Sequence, residues 1–146
     1  MQPSFLIEKK FDTSLICGID EAGRGPLAGP VVASCVMLNQ NDFLSEINDS
    51  KKLSKNLRKK IYNELKKNCK YGIGEVDEKM IDKINILEAT KLAMLKAYKN
   101  FCEKYNLYPK IILVDGELFS WYGSRLQHSV AYFNKLIAQL SNHTIA

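Results

Sequence analysis

Apolar and polar positions along this chain switch between a two-residue and a helical period. The run Leu15-Ile16-Cys17-Gly18-Ile19 is too short for a helix and rich in strand formers, which predicts a buried strand ending at Asp20-Glu21. Gly23, Gly25, Pro26, Gly29 and Pro30 then punctuate a turn. The apolar run over residues 31–38 predicts a second buried strand, and the tight glycine-rich link predicts that the two pair antiparallel. Ser54 is a good N-cap for a helix with Leu57, Ile61 and Leu65 on one stripe and lysines on its other faces. Residues 71–76 form a strand pattern interrupted by Gly72 and Gly74. The longest helical pattern covers residues 86–105, with Leu87, Met94, Tyr98, Phe101 and Tyr105 on a broad apolar face and Tyr108-Pro109 as its stop. Ile111-Ile112-Leu113-Val114 is a further apolar strand leading to Asp115-Gly116, and Ser129 would cap a last helix with Val130, Phe133, Ile137 and Leu140 inward.

The order strand, strand, helix, strand, helix, strand predicts a mixed sheet with helices packed on it, an α/β fold. At 146 residues, 46% hydrophobic and 25% charged, the chain has the size and composition of one globular domain. No apolar stretch approaches the roughly 20 residues that span a bilayer, and residues 1–12 lack the apolar core of a secretory signal. A cytoplasmic protein without a membrane partner is therefore expected. Cys17, Cys35, Cys69 and Cys102 form no Cys-x-x-Cys pair, so they are expected to be reduced, buried core residues rather than a zinc site.

The net charge of +5 is unevenly placed. Residues 51–70 hold nine basic side chains against one acid, Glu64. Such a block suits either a polyanion partner or a solvated helix face.

Two predicted strands end in acids, at Asp20-Glu21 and at Asp115. A carboxylate at the end of a buried strand is costly unless it is paired, hydrogen-bonded or metal-bound. If the two strands are neighbours, Asp20 and Asp115 converge at one end of the sheet, and a divalent cation would offset their repulsion. Oxygen-only ligands suit magnesium or manganese. The Gly23-Arg24-Gly25-Pro26-Leu27-Ala28-Gly29 loop lacks the G-x-G-x-x-G spacing and leads into a strand where a dinucleotide site requires a helix. It reads instead as a loop whose backbone approaches something closely, with the charged fork of Arg24 beside the acids. Ser50, Lys51 and Lys52, ahead of the basic helix, are candidates for holding a phosphate.

Four segments resemble the motifs of the ribonuclease HII family, the type 2 ribonucleases H. These are Gly18-Ile19-Asp20-Glu21-Ala22-Gly23-Arg24-Gly25-Pro26-Leu27-Ala28-Gly29-Pro30-Val31-Val32-Ala33, then Asp49-Ser50-Lys51-Lys52-Leu53, Ile84-Asn85-Ile86-Leu87-Glu88-Ala89-Thr90 and Val114-Asp115-Gly116. The first is long and highly specific, and the resemblance runs from about Leu15 to Gly116. It implies a ribonuclease H-like mixed β-sheet flanked by α-helices. It also implies a metal-dependent endonuclease that cuts the RNA strand of RNA–DNA hybrids and single ribonucleotides embedded in duplex DNA, leaving a 3′-hydroxyl and a 5′-phosphate. Asp20, Glu21 and Asp115 match three of the family's four metal-binding, catalytic acids, for Mn2+ or Mg2+. Gly23, Arg24 and Gly25 match its loop for the ribose 2′-hydroxyl, and Ser50, Lys51 and Lys52 extend the substrate-binding set. The family's later acid-bearing helix has no recognisable counterpart, and after Asp115 the chain's only acidic side chain is Glu117. The expected organisation is therefore the N-terminal part of a catalytic domain over residues 1–116, C-terminally truncated, followed by a divergent stretch over 117–146. A monomer is expected. The alternative reading, set by the missing fourth carboxylate, is a basic nucleic-acid-binding fragment that does not cleave.

Overall fold

The computed structural model describes residues 8–12, 14–25, 28–38 and 53–114. After a short 3-10 turn at Glu8–Lys10, the elements are β1 (Ile16–Ala22), β2 (Val31–Met37), α1 (Lys55–Asn68), β3 (Lys70–Val76), α2 (Glu78–Tyr105) and β4 (Ile111–Val114). The strands form one mixed sheet in the order β3-β2-β1-β4. β1 and β2 pair antiparallel, as do β2 and β3, while β1 and β4 run parallel. The expected mixed sheet and the antiparallel β1–β2 pair are both present.

Strand alternation sorts side chains to two faces. Cys17 and Ile19 of β1, with Val31, Ala33, Cys35 and Met37 of β2, are buried and meet Ala89, Ala93, Met94, Ala97, Tyr98, Phe101 and Cys102 of α2 in the core. All four cysteines are buried and free of disulfides. Among the described residues α2 is the helix that covers the sheet. Its approach is close because β3 offers Gly72 and Gly74 at the contact: a Cβ on Gly72 would collide with the Ala97 carbonyl, and one on Gly74 with the Ala93 carbonyl. The sequence reading took these glycines as interruptions of a strand. They are instead the positions at which the helix backbone rests.

Two boundaries differ from expectation. β1 does not stop at its acids: Asp20 pairs with Ser34, Glu21 with Ala33 and Ala22 with Val32. The long helix begins at Glu78, capped by the Asp77 side chain accepting from the Met80 N–H at 2.8 Å. It then kinks at Asn85, whose backbone is non-helical at φ 68° and ψ 165°. The Asn85 Oδ1 accepts from the N–H groups of Leu87 and Glu88 at 3.0 and 3.1 Å, so the expected helix over residues 86–105 is the second half of α2, with Asn85 as its internal N-cap. It ends at Tyr105 as expected, with Asn106 in the left-handed region, φ 50°, as its C-cap. α1 forms as predicted: the Ser54 hydroxyl accepts from the Leu57 N–H at 3.3 Å and Ile61 is buried.

As an outer strand of the described sheet, β3 has one edge without a strand partner. Its backbone groups there meet α2 side chains: Tyr71 N–H donates to the Tyr105 hydroxyl at 3.2 Å, and Ile73 N–H to Asn100 Oδ1 at 3.0 Å. The Glu75 carbonyl accepts from Lys96 Nζ at 2.9 Å. No helix among the described residues is long and apolar enough to cross a membrane. The boundary expected at Gly116 and the helix expected from Ser129 lie outside the described residues.

Candidate active site

The candidate site lies at the C-terminal end of β1, where a run of buried apolar positions gives way to charge. Asp20 and Glu21 are consecutive strand residues, so the pleat sends their side chains to opposite faces. Asp20 shares its face with its cross-strand partner Ser34 and is exposed. Its Oδ1 accepts from the backbone N–H of Glu21 at 2.8 Å, which steadies the carboxylate.

Glu21 lies on the face that carries the core, beside buried Ala33, and its side chain is only 10% exposed. A charge so shielded needs a partner. Arg24 supplies it, with Nη1 3.0 Å from Oε1, and the guanidinium, 35% exposed, keeps further N–H donors for another anion or hydroxyl. The sequence reading placed Glu21 with the metal ligands and Arg24 with the substrate loop and missed their ion pair. An acid and an arginine three residues apart at a strand-to-turn junction were the available signal.

The turn holds this pair close to the strand. Gly23 has φ 99°, a conformation that side chains rarely adopt, and a Cβ there would collide with the Pro30 carbonyl. Gly25 follows Arg24 in the exposed part of the loop.

β4 runs beside β1 in parallel register, Cys17 opposite Ile112, Gly18 opposite Leu113 and Ile19 opposite Val114. The last described residue of β4, Val114, therefore faces the residue that precedes Asp20. Asp115 follows Val114 in the chain and lies outside the described residues, as do Ser50, Lys51 and Lys52. Of the predicted site residues, Asp20, Glu21, Gly23, Arg24 and Gly25 are thus found together. Among the described residues no group of three or more His, Cys, Asp or Glu side chains is placed to hold a metal ion. The donor type at the site, the exposed oxygen-only carboxylate of Asp20, is the kind that suits a hard divalent cation such as Mg2+ or Mn2+.

Comparison with known proteins bears on the whole arrangement. The family model for ribonuclease HII matches residues 17–140, a span that passes Gly116 into the stretch expected to be divergent. The ribonuclease HII of Orientia tsutsugamushi (strain Ikeda) is 48% identical over 118 residues, 81% of this chain and 56% of that protein. The ribonuclease HII of Rickettsia bellii (strain OSU 85-389) is 50% identical over 111 residues, 76% of this chain and 55% of that protein. The chain thus spans about half the length of the curated relatives it matches. In fold it is similar to the crystal structure of a mutant Bst-RNase HIII, with a TM-score of 0.61 at 17% identity, covering 84% of this chain and 45% of that one. The fold is ribonuclease H-like, as the resemblance implied.

Proposed function

The chain belongs to the ribonuclease HII family, and from that premise we propose that it is a metal-dependent endonuclease acting on the RNA strand of RNA–DNA hybrids and on single ribonucleotides embedded in duplex DNA. The products in this reading carry a 3′-hydroxyl and a 5′-phosphate. The observation that supports it most is the parallel register of β1 and β4. Ile19 and Val114 face each other, and each directly precedes an acid in the chain, Asp20 and Asp115.

In this proposal Asp20 and Asp115 are the principal ligands of Mg2+ or Mn2+, with Glu21 assisting from its pair with Arg24. A bound divalent ion lowers the pKa of a water for attack on phosphorus and stabilises the charge that develops on the leaving oxygen. The chain's own groups do the rest. Gly23 and Gly25 let the loop backbone approach the strand to be cut. The spare N–H groups of Arg24 meet the ribose 2′-hydroxyl, the chemical difference between RNA and DNA. Ser50, Lys51 and Lys52 hold backbone phosphates and fix register without reading sequence. The protein works as a monomer in the cytoplasm.

The test is incubation of the full chain with an end-labelled DNA duplex holding one ribonucleotide, in Mg2+, in Mn2+ and in a chelator. Cleavage to the stated ends with either metal and none with the chelator is expected. Binding without cleavage in both metals would favour the second reading, a non-cleaving nucleic-acid-binding fragment.

A further inference from the structure

We propose that α1 carries a nucleic-acid contact separate from the acids and the glycine loop: a stripe of Lys55, Arg58, Lys59 and Lys66 around the exposed ring of Tyr62, which takes the sugar-phosphate backbone of the bound duplex. The inference rests on the nucleic-acid reading above but uses residues that reading leaves idle.

The structure divides the basic block by face. Leu57, Ile61 and Leu65 form the inner stripe, with Ile61 buried and its two neighbours half-buried, and this fixes which side of the helix looks outward. At 3.6 residues per turn, Arg58, Tyr62, Lys55, Lys66 and Lys59, all exposed, then fall in one band about 100° wide that flanks this stripe. Glu64, the helix's single acid, falls roughly opposite that band, where Asn68 Nδ2 donates to it at 3.4 Å. Among the described residues, Lys55, Lys59 and Lys66 have no carboxylate within ion-pair distance.

Two further features point to an anion. The first turn of α1 holds no acid and instead holds Lys55 and Arg58, cations at the positive end of the helix dipole. A phosphate there would offset the charge of Lys55 and the helix dipole. Tyr62 is 57% exposed in the middle of the band, and Lys66 Nζ sits 5.4 Å from its ring centre. A ring bordered by cations is the composition with which proteins hold nucleic-acid strands: charge for the phosphates, an aromatic face for sugar or base. A lipid surface fits less well, because an interfacial helix needs its apolar face outward and that of α1 is turned in. From Lys55 to Lys66 the band runs about 16 Å along the axis, the length of roughly five base-pair steps.

The experiment is fluorescence anisotropy of the full chain with an RNA–DNA hybrid and with plain duplex DNA, across a salt series. Vesicles rich in phosphatidylserine are measured in parallel. Lys59→Ala with Lys66→Ala should flatten the slope of log K against log salt by about two units, equally for both duplexes. Lys59→Arg with Lys66→Arg should keep it. Tyr62→Ala should weaken binding fivefold or more, whereas Tyr62→Phe should stay within about twofold of wild type. All these positions are on an outer helix face, and far-ultraviolet circular dichroism should match wild type.

An unchanged slope in the double alanine variant overturns the proposal. So does loss of vesicle capture with duplex binding intact, which would make the band a lipid contact. The outcomes separate from those for the catalytic reading. Stripe-dependent binding with no cleavage in either metal keeps the band and sinks the endonuclease. Cleavage with an unchanged slope does the reverse.

Discussion

Gly23 holds φ at 99° against the Pro30 carbonyl, and the loop that carries Arg24 turns on it. Gly23→Ala should destabilise the fold by about 1–3 kcal/mol, the usual cost of forcing a side chain into such a conformation, read as a shifted urea midpoint. A midpoint within error of wild type would mean that the loop can turn another way. A second residue-scale expectation concerns the buried thiols. Hydrogen bonding with Cys17, then burial, pushes the Cys35 thiol up; burial pushes up Cys102; and burial with a hydrogen bond to Cys102 pushes up the Tyr98 phenol. Each group keeps its proton in the folded state to a higher pH than in the unfolded chain. Their stabilisation is therefore complete below the ordinary thiol value near 8.5. It falls as pH rises beyond that, by up to about 1.4 kcal/mol per unit for each group titrating only in the unfolded chain. Melting temperatures between pH 7 and 11 should decline from about pH 8.5, and a flat profile to pH 11 would remove the thiol cluster from the stability account.

At the scale of elements, the covered edge of β3 is the feature with a consequence for solubility. An outer strand offers unpaired N–H and C=O groups to any other strand. Here Lys96, Asn100 and Tyr105 meet those of Glu75, Ile73 and Tyr71. The combination Lys96→Ala, Asn100→Ala and Tyr105→Phe should cost roughly 0.5–1.5 kcal/mol per bond and raise self-association in sedimentation velocity. A variant that stays as dispersed as wild type at equal concentration would show that these contacts do not guard the edge. The elements themselves were largely legible in the sequence, because β1, β2 and β4 are short apolar runs and α1 has a cap and a clean stripe. Two things were hidden. The buried surface of α2 is rich in small residues, Ala89, Ala93 and Ala97, the last two of them close to Gly74 and Gly72, and a search for large apolar side chains passes over them. The first turns of α2 were masked by the break at Asn85, since a cap in mid-helix splits one element into two patterns.

At the scale of the whole molecule, Asp20 and Asp115 stand out in the sequence because charge following an apolar run is conspicuous, and the parallel pairing of β1 with β4 sets Val114 opposite Ile19. The Glu21–Arg24 pair did not, since each residue had been given a role of its own. The expected phosphate contacts Ser50, Lys51 and Lys52 lie outside the described residues, as does Asp115. In the proposed function Asp20 and Asp115 act together in cutting a ribonucleotide-containing strand. This joint role is tested most directly by Asp20→Asn and Asp115→Asn in single-turnover cleavage of a duplex holding one ribonucleotide, with binding measured on the same samples. Each change removes one ligand charge at nearly constant size. The wild-type chain should cleave in Mn2+ or Mg2+, and either variant should lose about a hundredfold or more in rate while binding stays within about twofold. A variant that cleaves at the wild-type rate would contradict that joint role.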